Sequence, residues 1–206
     1  MRDFFAQYGE ELVSKTIEHF YISIISLLIA IVVAVPLGIL LSKTKRTANV
    51  VLTIAGVLQT VPTLAILALM IPIFGVGKTP AIVALFIYVL LPILNNTVLG
   101  VQNIDKNIIE AGTSMGMTKL QLMKDVELPL ALPLIISGIR LASVYVISWA
   151  TLASYIGAGG LGNLAYLTGF TRNQNDVILV STVFILIIVF IIQFIGDWLT
   201  NKIDKR

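Results

Sequence analysis

Five apolar segments, each long enough to cross a bilayer, limit most strongly how this chain can fold. A membrane-spanning helix needs about 20 mostly apolar residues. The 206 residues therefore have room for about five spans with short loops, and for no separate soluble catalytic domain. We predict an all-α membrane protein, multi-pass in the cell membrane, with spans at 19–41, 49–74, 79–102, 129–152 and 177–200.

The composition excludes the soluble classes of protein. Hydrophobic residues make up 57% of the chain and charged residues 12%, with a mean hydropathy of +0.97. A soluble domain carries about 25% charged residues, so neither a soluble enzyme nor a disordered chain fits. With no cysteine and the single histidine His19, we expect no metal site. We expect membrane lipid around the chain and no nucleic acid partner.

Two other classes of membrane protein lack their sequence signatures. An intramembrane enzyme would need paired aspartates, a His-Glu-x-x-His helix or a Ser–His couple at membrane depth, and none is present. An ion channel would need rings of charge or a carbonyl filter. The chain also has no Walker motif for ATP, so we expect it to need no cofactor and to catalyse no reaction itself.

The placement of lysine and arginine sets the expected orientation. With five spans, one side of the membrane receives nine basic residues and the other receives four. The more basic side is the cytoplasmic one, so we expect the N-terminus outside and the C-terminus in the cytoplasm. The basic side holds Lys43, Lys45, Arg46, Lys106, Lys119, Lys124, Lys202, Lys205 and Arg206; the other holds Arg2, Lys15, Lys78 and Arg172.

The two ends of the chain flank the spans. Residues 1–18 are polar, with a helical stripe formed by Phe4, Phe5, Tyr8, Leu12, Val13 and Ile17. That stripe suits a helix in the membrane interface, and equally a helix that packs on its own bundle. Residues 201–206 form the predicted cytoplasmic tail.

Prolines are concentrated in the spans. Broken helices normally line a protein interior or an aqueous cavity, because lipid cannot pair the freed carbonyls. Proline is also simply commoner in membrane helices than in soluble ones. The prolines inside spans or at their ends are Pro36, Pro62, Pro72, Pro92, Pro129 and Pro133.

The polar stretch 103–128 predicts two short amphipathic helices on the cytoplasmic face. Asp105 can cap the first helix, and Gly116 interrupts it. Thr118 and Gln121 form a capping box for the second helix, which we expect to end or bend at Pro129. The apolar side of this element needs a partner, which is either another protein or the element's own bundle.

The same stretch carries a motif at fixed spacing. It resembles the EAA motif of ABC importer permeases, with Gly112 for the second alanine and Val126 for isoleucine as departures. The resemblance implies that the loop docks as a coupling helix into a cytoplasmic ABC ATPase. The matching residues are Glu110, Ala111, Gly112, Gly116, Val126, Leu128 and Pro129.

Three further stretches, 59–65, 75–85 and 149–157, are similar to permeases of the osmoprotectant importers for glycine betaine, carnitine and choline. The resemblance implies a type I ABC importer permease domain over 19–200. It also implies a second permease subunit, identical or paralogous, two ATPase subunits that bind the ATP, and an external substrate-binding protein that we expect to be a separate polypeptide. The alternative is a permease of a methionine-type amino-acid importer, against which these stretches argue.

The candidate residues of the translocation pathway lie in the second, third and fourth spans. Placing the charged Arg140 side chain in hydrocarbon costs free energy, so we expect it to face the bundle interior or water. We expect Gln59 and Thr60 to match its depth and Asp197 to lie too shallow. The alternative role for Arg140 is a structural tie between helices. Pro62 and Asn95 join the set, and Asn95 either lines the pathway or holds helices together.

Tyr145 and Trp149 lie four residues apart and share a helical face. Aromatic faces hold quaternary ammonium groups, so these rings are candidate pathway residues. An interfacial aromatic belt is the alternative.

The glycines at 157–162 permit an irregular backbone on the outer side. We expect an outer gate loop that meets the binding protein; the alternative is a plain re-entrant turn. The glycines concerned are Gly157, Gly159, Gly160 and Gly162.

The charge asymmetry yields a first testable prediction. A reporter fused after Arg206 should behave as cytoplasmic, since nine basic residues lie on that side and four on the other. The measurement is the paired activity of a reporter active only in the cytoplasm and one active only outside. External activity at Arg206 would contradict the five-span topology.

Overall fold

The computed structural model describes residues 2–203, with side chains described for 6–198 and 200. Residues 204–206 of the predicted tail lie outside the described part. The α-helices are α1 (Arg2–Ser42), α2 (Lys45–Gln59), α3 (Thr63–Phe74), α4 (Lys78–Gln102), α5 (Lys106–Ser114), α6 (Lys119–Gln121), α7 (Leu128–Ala150), α8 (Leu161–Asn163) and α9 (Asn175–Ile203). Leu122–Glu127 and Leu164–Phe170 are π-helical, and Leu152–Ile156 is a 3₁₀ turn.

Within residues 2–203, four helices are long and apolar enough to span a membrane, and the bent pair α2 and α3 makes up to a fifth. The prediction of an all-α protein with about five spans is confirmed. The predicted interfacial segment 1–18 is not separate from the first span, because α1 runs without a break. Tyr8 and Leu12 of its stripe are buried, whereas Val13 and Ile17 are exposed. The Tyr8 hydroxyl donates to Gln174 Oε1 at 2.7 Å, so this part of α1 packs partly on its own bundle.

The second span is broken, and it is not the single helix expected over 49–74. Helices α2 and α3 meet at 93° around residues 60–62, because Pro62 cannot donate a backbone hydrogen bond. Two contacts with α4 hold the break: the Tyr88 hydroxyl donates to the Val61 carbonyl, and Gln59 Nε2 donates to the Tyr88 carbonyl at 2.6 Å. The break therefore has its polar groups paired inside the protein, as hydrocarbon requires.

The second helix of the polar loop does not end at Pro129, which excludes the first of the two expected outcomes, an end or a bend at this proline. It continues as one helical segment from Lys119 to Ala150. The turn before Pro129, Leu122–Glu127, is π-helical. Because a π turn shifts the hydrogen-bond register by one residue, it accommodates a proline that lacks its own donor at the start of α7.

The core of the bundle is the packing of α4 between α1 and α7. Glycines permit close approach: a Cβ at Gly38 would lie 2.7 Å from Thr97, and one at Gly100 would lie 3.1 Å from the Ala131 carbonyl. A Cβ at Gly138 would lie 2.6 Å from Asn96 Cβ. Small residues of this kind let membrane helices gain van der Waals contact, since lipid supplies little hydrophobic drive for association.

One ion pair joins the end of α1 to the start of α7. Lys43 Nζ lies 2.6 and 2.5 Å from the two carboxylate oxygens of Glu127. Glu127 is only 6% exposed, whereas half of the Lys43 side chain is exposed. Nearby, Gln102 Nε2 donates to the Ser42 carbonyl at 3.3 Å, so α1, α4 and α7 are tied at this end of the bundle.

The close approach of α4 and α7 predicts that Gly138→Ala destabilises the protein. The added methyl would meet Asn96 Cβ and the Pro92 carbonyl, and such overpacking costs about 1–3 kcal/mol. Gly56→Ala is the matched control, because a Cβ there meets nothing within 4 Å and alanine favours the helix. Thermal unfolding in detergent measures both, and an equal effect of the two substitutions would contradict the packing.

The unequal burial of the ion pair predicts unequal effects of removing its partners. Lys43→Met strands a buried carboxylate, at a cost of about 1–3 kcal/mol. Glu127→Gln costs less, because the half-exposed lysine can turn into water. The melting temperatures of the two variants, with Lys45→Met as a control, test this order. A greater loss for Glu127→Gln would contradict it.

Candidate functional site

An open groove of about 350 Å³ lies between α2, α4 and α7. It brings together three of the predicted pathway residues, Gln59, Asn95 and Tyr145, from three different helices. Its volume is in the range typical of small-molecule sites. The lining residues are Leu52, Gln59, Leu91, Pro92, Asn95, Asn96, Leu141 and Tyr145, and none of them carries a charge.

One wall of the groove is aromatic. Tyr145 and Trp149 stack with ring centroids 5.1 Å apart and planes 29° apart. Trp149 also contacts Tyr88, at 5.0 Å and 58°. Tyr145 is 36% exposed and lines the groove, whereas Tyr88 is buried behind the rings. The shared face of Tyr145 and Trp149 is therefore present as predicted, and only Tyr145 of the pair lines the groove.

The polar wall of the groove is made of amides. The Asn96 amide donates to the Pro92 carbonyl at 2.8 Å, and the Gln59 amide donates to Tyr88. The Asn95 side chain, by contrast, makes no hydrogen bond to any other residue whose side chain is described. Both N–H groups of its partly exposed amide are thus available to a molecule in the groove.

Thr60 and Pro62 do not line this groove. Both are exposed at the break between α2 and α3, and the Thr60 hydroxyl donates to the Val57 carbonyl at 2.7 Å. They shape the site indirectly, because the break directs Gln59 toward α4.

Arg140 contacts Asp197, which was expected to lie too shallow, and neither Gln59 nor Thr60, its expected partners at the same depth. Its guanidinium forms an ion pair with Asp197 of α9. A Cβ at Gly196 would lie 2.9 Å from the Arg140 stem, so this glycine gives the long side chain room to reach along α9 toward the carboxylate. Both side chains are partly exposed. The structure therefore places Arg140 as a tie between α7 and α9.

The polar loop folds as the two short helices that the motif predicts. Asp105 caps α5 by accepting from Asn107 N at 2.9 Å. Gly116, with φ +83°, turns the chain. The Thr118 hydroxyl accepts from Gln121 N at 3.3 Å, while Gln121 Oε1 accepts from Thr118 N at 2.8 Å. The capping box is therefore confirmed. We call residues 103–128 the coupling loop.

The coupling loop exposes apolar side chains at its turn. Met115 is 83% exposed, and Leu120 and Ile108 are exposed as well. Glu110 and Ala111 share this accessible surface, Leu128 is partly buried, and Pro129 is exposed. Gly112 faces inward: a Cβ there would lie 2.8 Å from Leu122 and 3.1 Å from Met117 Sδ. An alanine at this position, as in the motif, would require the ends of the Leu122 and Met117 side chains to shift.

The glycine-rich turn lies at the opposite end of the bundle and is largely buried. Gly157, Gly159 and Gly160 have φ values of +74°, +83° and +79°, which only glycine adopts readily. Gly160 N donates to Glu18 Oε2 at 3.1 Å, and Gly162 lies directly against the Thr151 backbone. The turn is thus packed against α1 and the end of α7.

Asn96, which the sequence places beside Asn95 with the same two alternative roles, also lines the groove. Sequence reasoning missed three residues that shape these elements: Tyr88 holds the break, Glu127 pairs with Lys43, and Glu18 holds the glycine-rich turn. An acidic residue at the end of each of two spans was the available signal for Glu18 and Glu127. No pattern in one sequence indicates which tyrosine meets a broken helix.

The comparisons with known proteins agree over nearly the whole chain. Residues 19–206 match the family model described as the binding-protein-dependent transport system inner membrane component. The chain is 51% identical to the carnitine transport permease protein OpuCB of Listeria monocytogenes, over 93% of this chain and 87% of that protein. It is 47% identical to the glycine betaine/carnitine/choline transport system permease protein OpuCB of Bacillus subtilis (strain 168), over 100% of this chain and 94% of that protein.

The fold is also similar to a solved transporter. The structure of inward-facing conformations of the MetNI methionine ABC transporter matches with a TM-score of 0.85 and 26% identity, over 93% of this chain and 96% of that chain. The fold is that of a type I ABC importer permease, as the motif implied. This chain therefore belongs to the family of binding-protein-dependent transport system inner membrane components.

Proposed function

We propose that this chain is the permease subunit through which an ATP-driven importer passes a quaternary-ammonium compatible solute: glycine betaine, carnitine or choline. The relatives that transport these solutes are 51% and 47% identical to it, against 26% for the methionine transporter chain. That difference makes the methionine-type alternative less supported. The solute is delivered by an external binding protein.

The coupling loop is the observation that carries the assignment to an ATP-driven complex. Its exposed apolar turn, with Met115 and Leu120, supports docking to a cytoplasmic ABC ATPase. Glu110 and Ala111 contribute to the same docking surface. ATP is bound and hydrolysed by that partner, and this chain needs no cofactor. The N-terminus lies outside and the C-terminus lies in the cytoplasm.

The groove between α2, α4 and α7 is the part of the translocation pathway that this subunit contributes. The groove is open to its surroundings, and a second permease subunit, identical or paralogous, completes it. Tyr145 supplies the aromatic face and Asn95 the free amide. Trp149 supports the ring of Tyr145, while Thr60 and Pro62 shape the break. Arg140 acts structurally. The glycine-rich turn is the outer gate, held closed against Glu18.

Gly116→Pro tests the coupling role. Proline requires a φ near −65°, whereas Gly116 has φ +83° with open space around it. The substitution should therefore misdirect the turn without disturbing the bundle. We expect normal membrane insertion, loss of ATPase association, and uptake of radiolabelled glycine betaine, carnitine and choline reduced at least about tenfold.

Gly116→Asn is the matched control, because asparagine tolerates positive φ and should retain most uptake. Insertion is measured by immunoblotting of membranes and ATPase association by co-purification. Normal uptake by Gly116→Pro at normal membrane abundance would contradict the coupling role. No uptake of any of the three solutes by the unaltered complex would contradict the proposed substrates.

A further inference from the structure

The groove has two chemically different ends and no charge between them. Its aromatic end is Tyr145, stacked on Trp149, and its polar end is Asn95. Every lining side chain is neutral. A solute with a net charge would leave water here without a counter-ion, which is costly in a low-dielectric site. A zwitterion has no net charge and can be held by dipoles and ring faces alone.

The helix register brings the two ends within reach of one small molecule. Asn96 on α4 lies against Gly138 on α7, and Tyr88 lies against Trp149, so the two helices are antiparallel. In this register Tyr145 lies about 6–9 Å along the axis from Asn95 at helical rise. Side chains lean toward the N-terminus of their own helix. Tyr145 and Asn95 therefore lean toward each other, which shortens the gap.

Asn95 is suited to an anionic group because its amide is uncommitted. Asn96 and Gln59 each use one of their two amide N–H groups on a backbone carbonyl, whereas the Asn95 side chain makes no hydrogen bond among the described side chains, so both of its N–H groups are free. An amide donor bonded to a carboxylate contributes more than one bonded to a neutral group. A methylated ammonium cannot donate hydrogen bonds and is held by a ring face.

Resting on the proposed function, we infer that this groove is a zwitterion site: the Tyr145 ring faces the methylated ammonium and the Asn95 amide donates to the carboxylate. Glycine betaine and carnitine carry both groups. Choline carries a hydroxyl in place of the carboxylate. The permease thus favours glycine betaine and carnitine, which carry a carboxylate, over choline. This selection takes place after the solute leaves the binding protein.

Variants of Asn95 test this inference through the ratio between the uptake rates of the three solutes. The complex with its ATPase is reconstituted in liposomes with saturating, solute-loaded binding protein, and maximal uptake is normalised to assembled complex. Asn95→Leu should lower uptake of glycine betaine and carnitine about tenfold and of choline about threefold or less. Asn95→Asp should lower the uptake of both zwitterions, because the new carboxylate repels theirs, and should maintain or raise the uptake of choline. Asn95→Gln, which keeps the amide, should retain the wild-type ratio.

Two comparisons separate recognition from packing. Asn96→Leu removes an amide that already donates to the Pro92 carbonyl. It should therefore change the uptake of all three solutes by the same factor. Tyr145→Leu should lower the uptake of all three solutes about 2- to 30-fold, because each carries the methylated ammonium.

Equal factors for all three solutes in Asn95→Leu and Asn95→Asp would overturn the inference. If one of these variants does not assemble, the ratio measured for the other decides. Wild-type complex that transports none of the three would instead overturn the proposed function, so the two failures are distinguishable.

Discussion

The absence of water in the hydrocarbon core is the constraint on which the site depends. A chain that breaks a helix there must pair the freed groups within the protein. Here the break at residues 60–62 is held by the Tyr88 hydroxyl and the Gln59 amide. The same tyrosine packs its ring on Trp149, which in turn supports Tyr145. One buried residue therefore fixes the broken helix and the aromatic wall of the groove together.

Features that depend on local sequence were predictable. The spans follow from apolar length, and the two short loop helices follow from Asp105, Gly116, Thr118 and Gln121, because a cap acts over three or four residues. Gln59, Asn95 and Tyr145 stand out in the sequence as uncommon polar or aromatic residues within spans, and the structure places them on one groove. The roles proposed for them still depend on the uptake experiments with their variants.

Features that depend on distant pairing were not predictable. Depth counted along each helix matched Arg140 with Gln59, yet a guanidinium on a flexible stem reaches along a neighbouring helix to Asp197. Lys43 and Glu127 are 84 residues apart, and their contact depends on how α1 and α7 pack. The continuation of the loop helix through Pro129 depends on a π turn, for which this sequence carries no distinct local signal.

That π turn has a mechanical consequence. Because Lys119–Ala150 is a single helical segment of 32 residues, it is about 48 Å long at helical rise. Its inner end carries the exposed Leu120, and its far end carries Tyr145 and Trp149. If the segment moved as a rigid body, a tilt of about 5° about its inner end would displace the far end by about 4 Å over this length. A small rotation at the coupling loop would then shift one wall of the groove by a distance comparable to an atomic diameter.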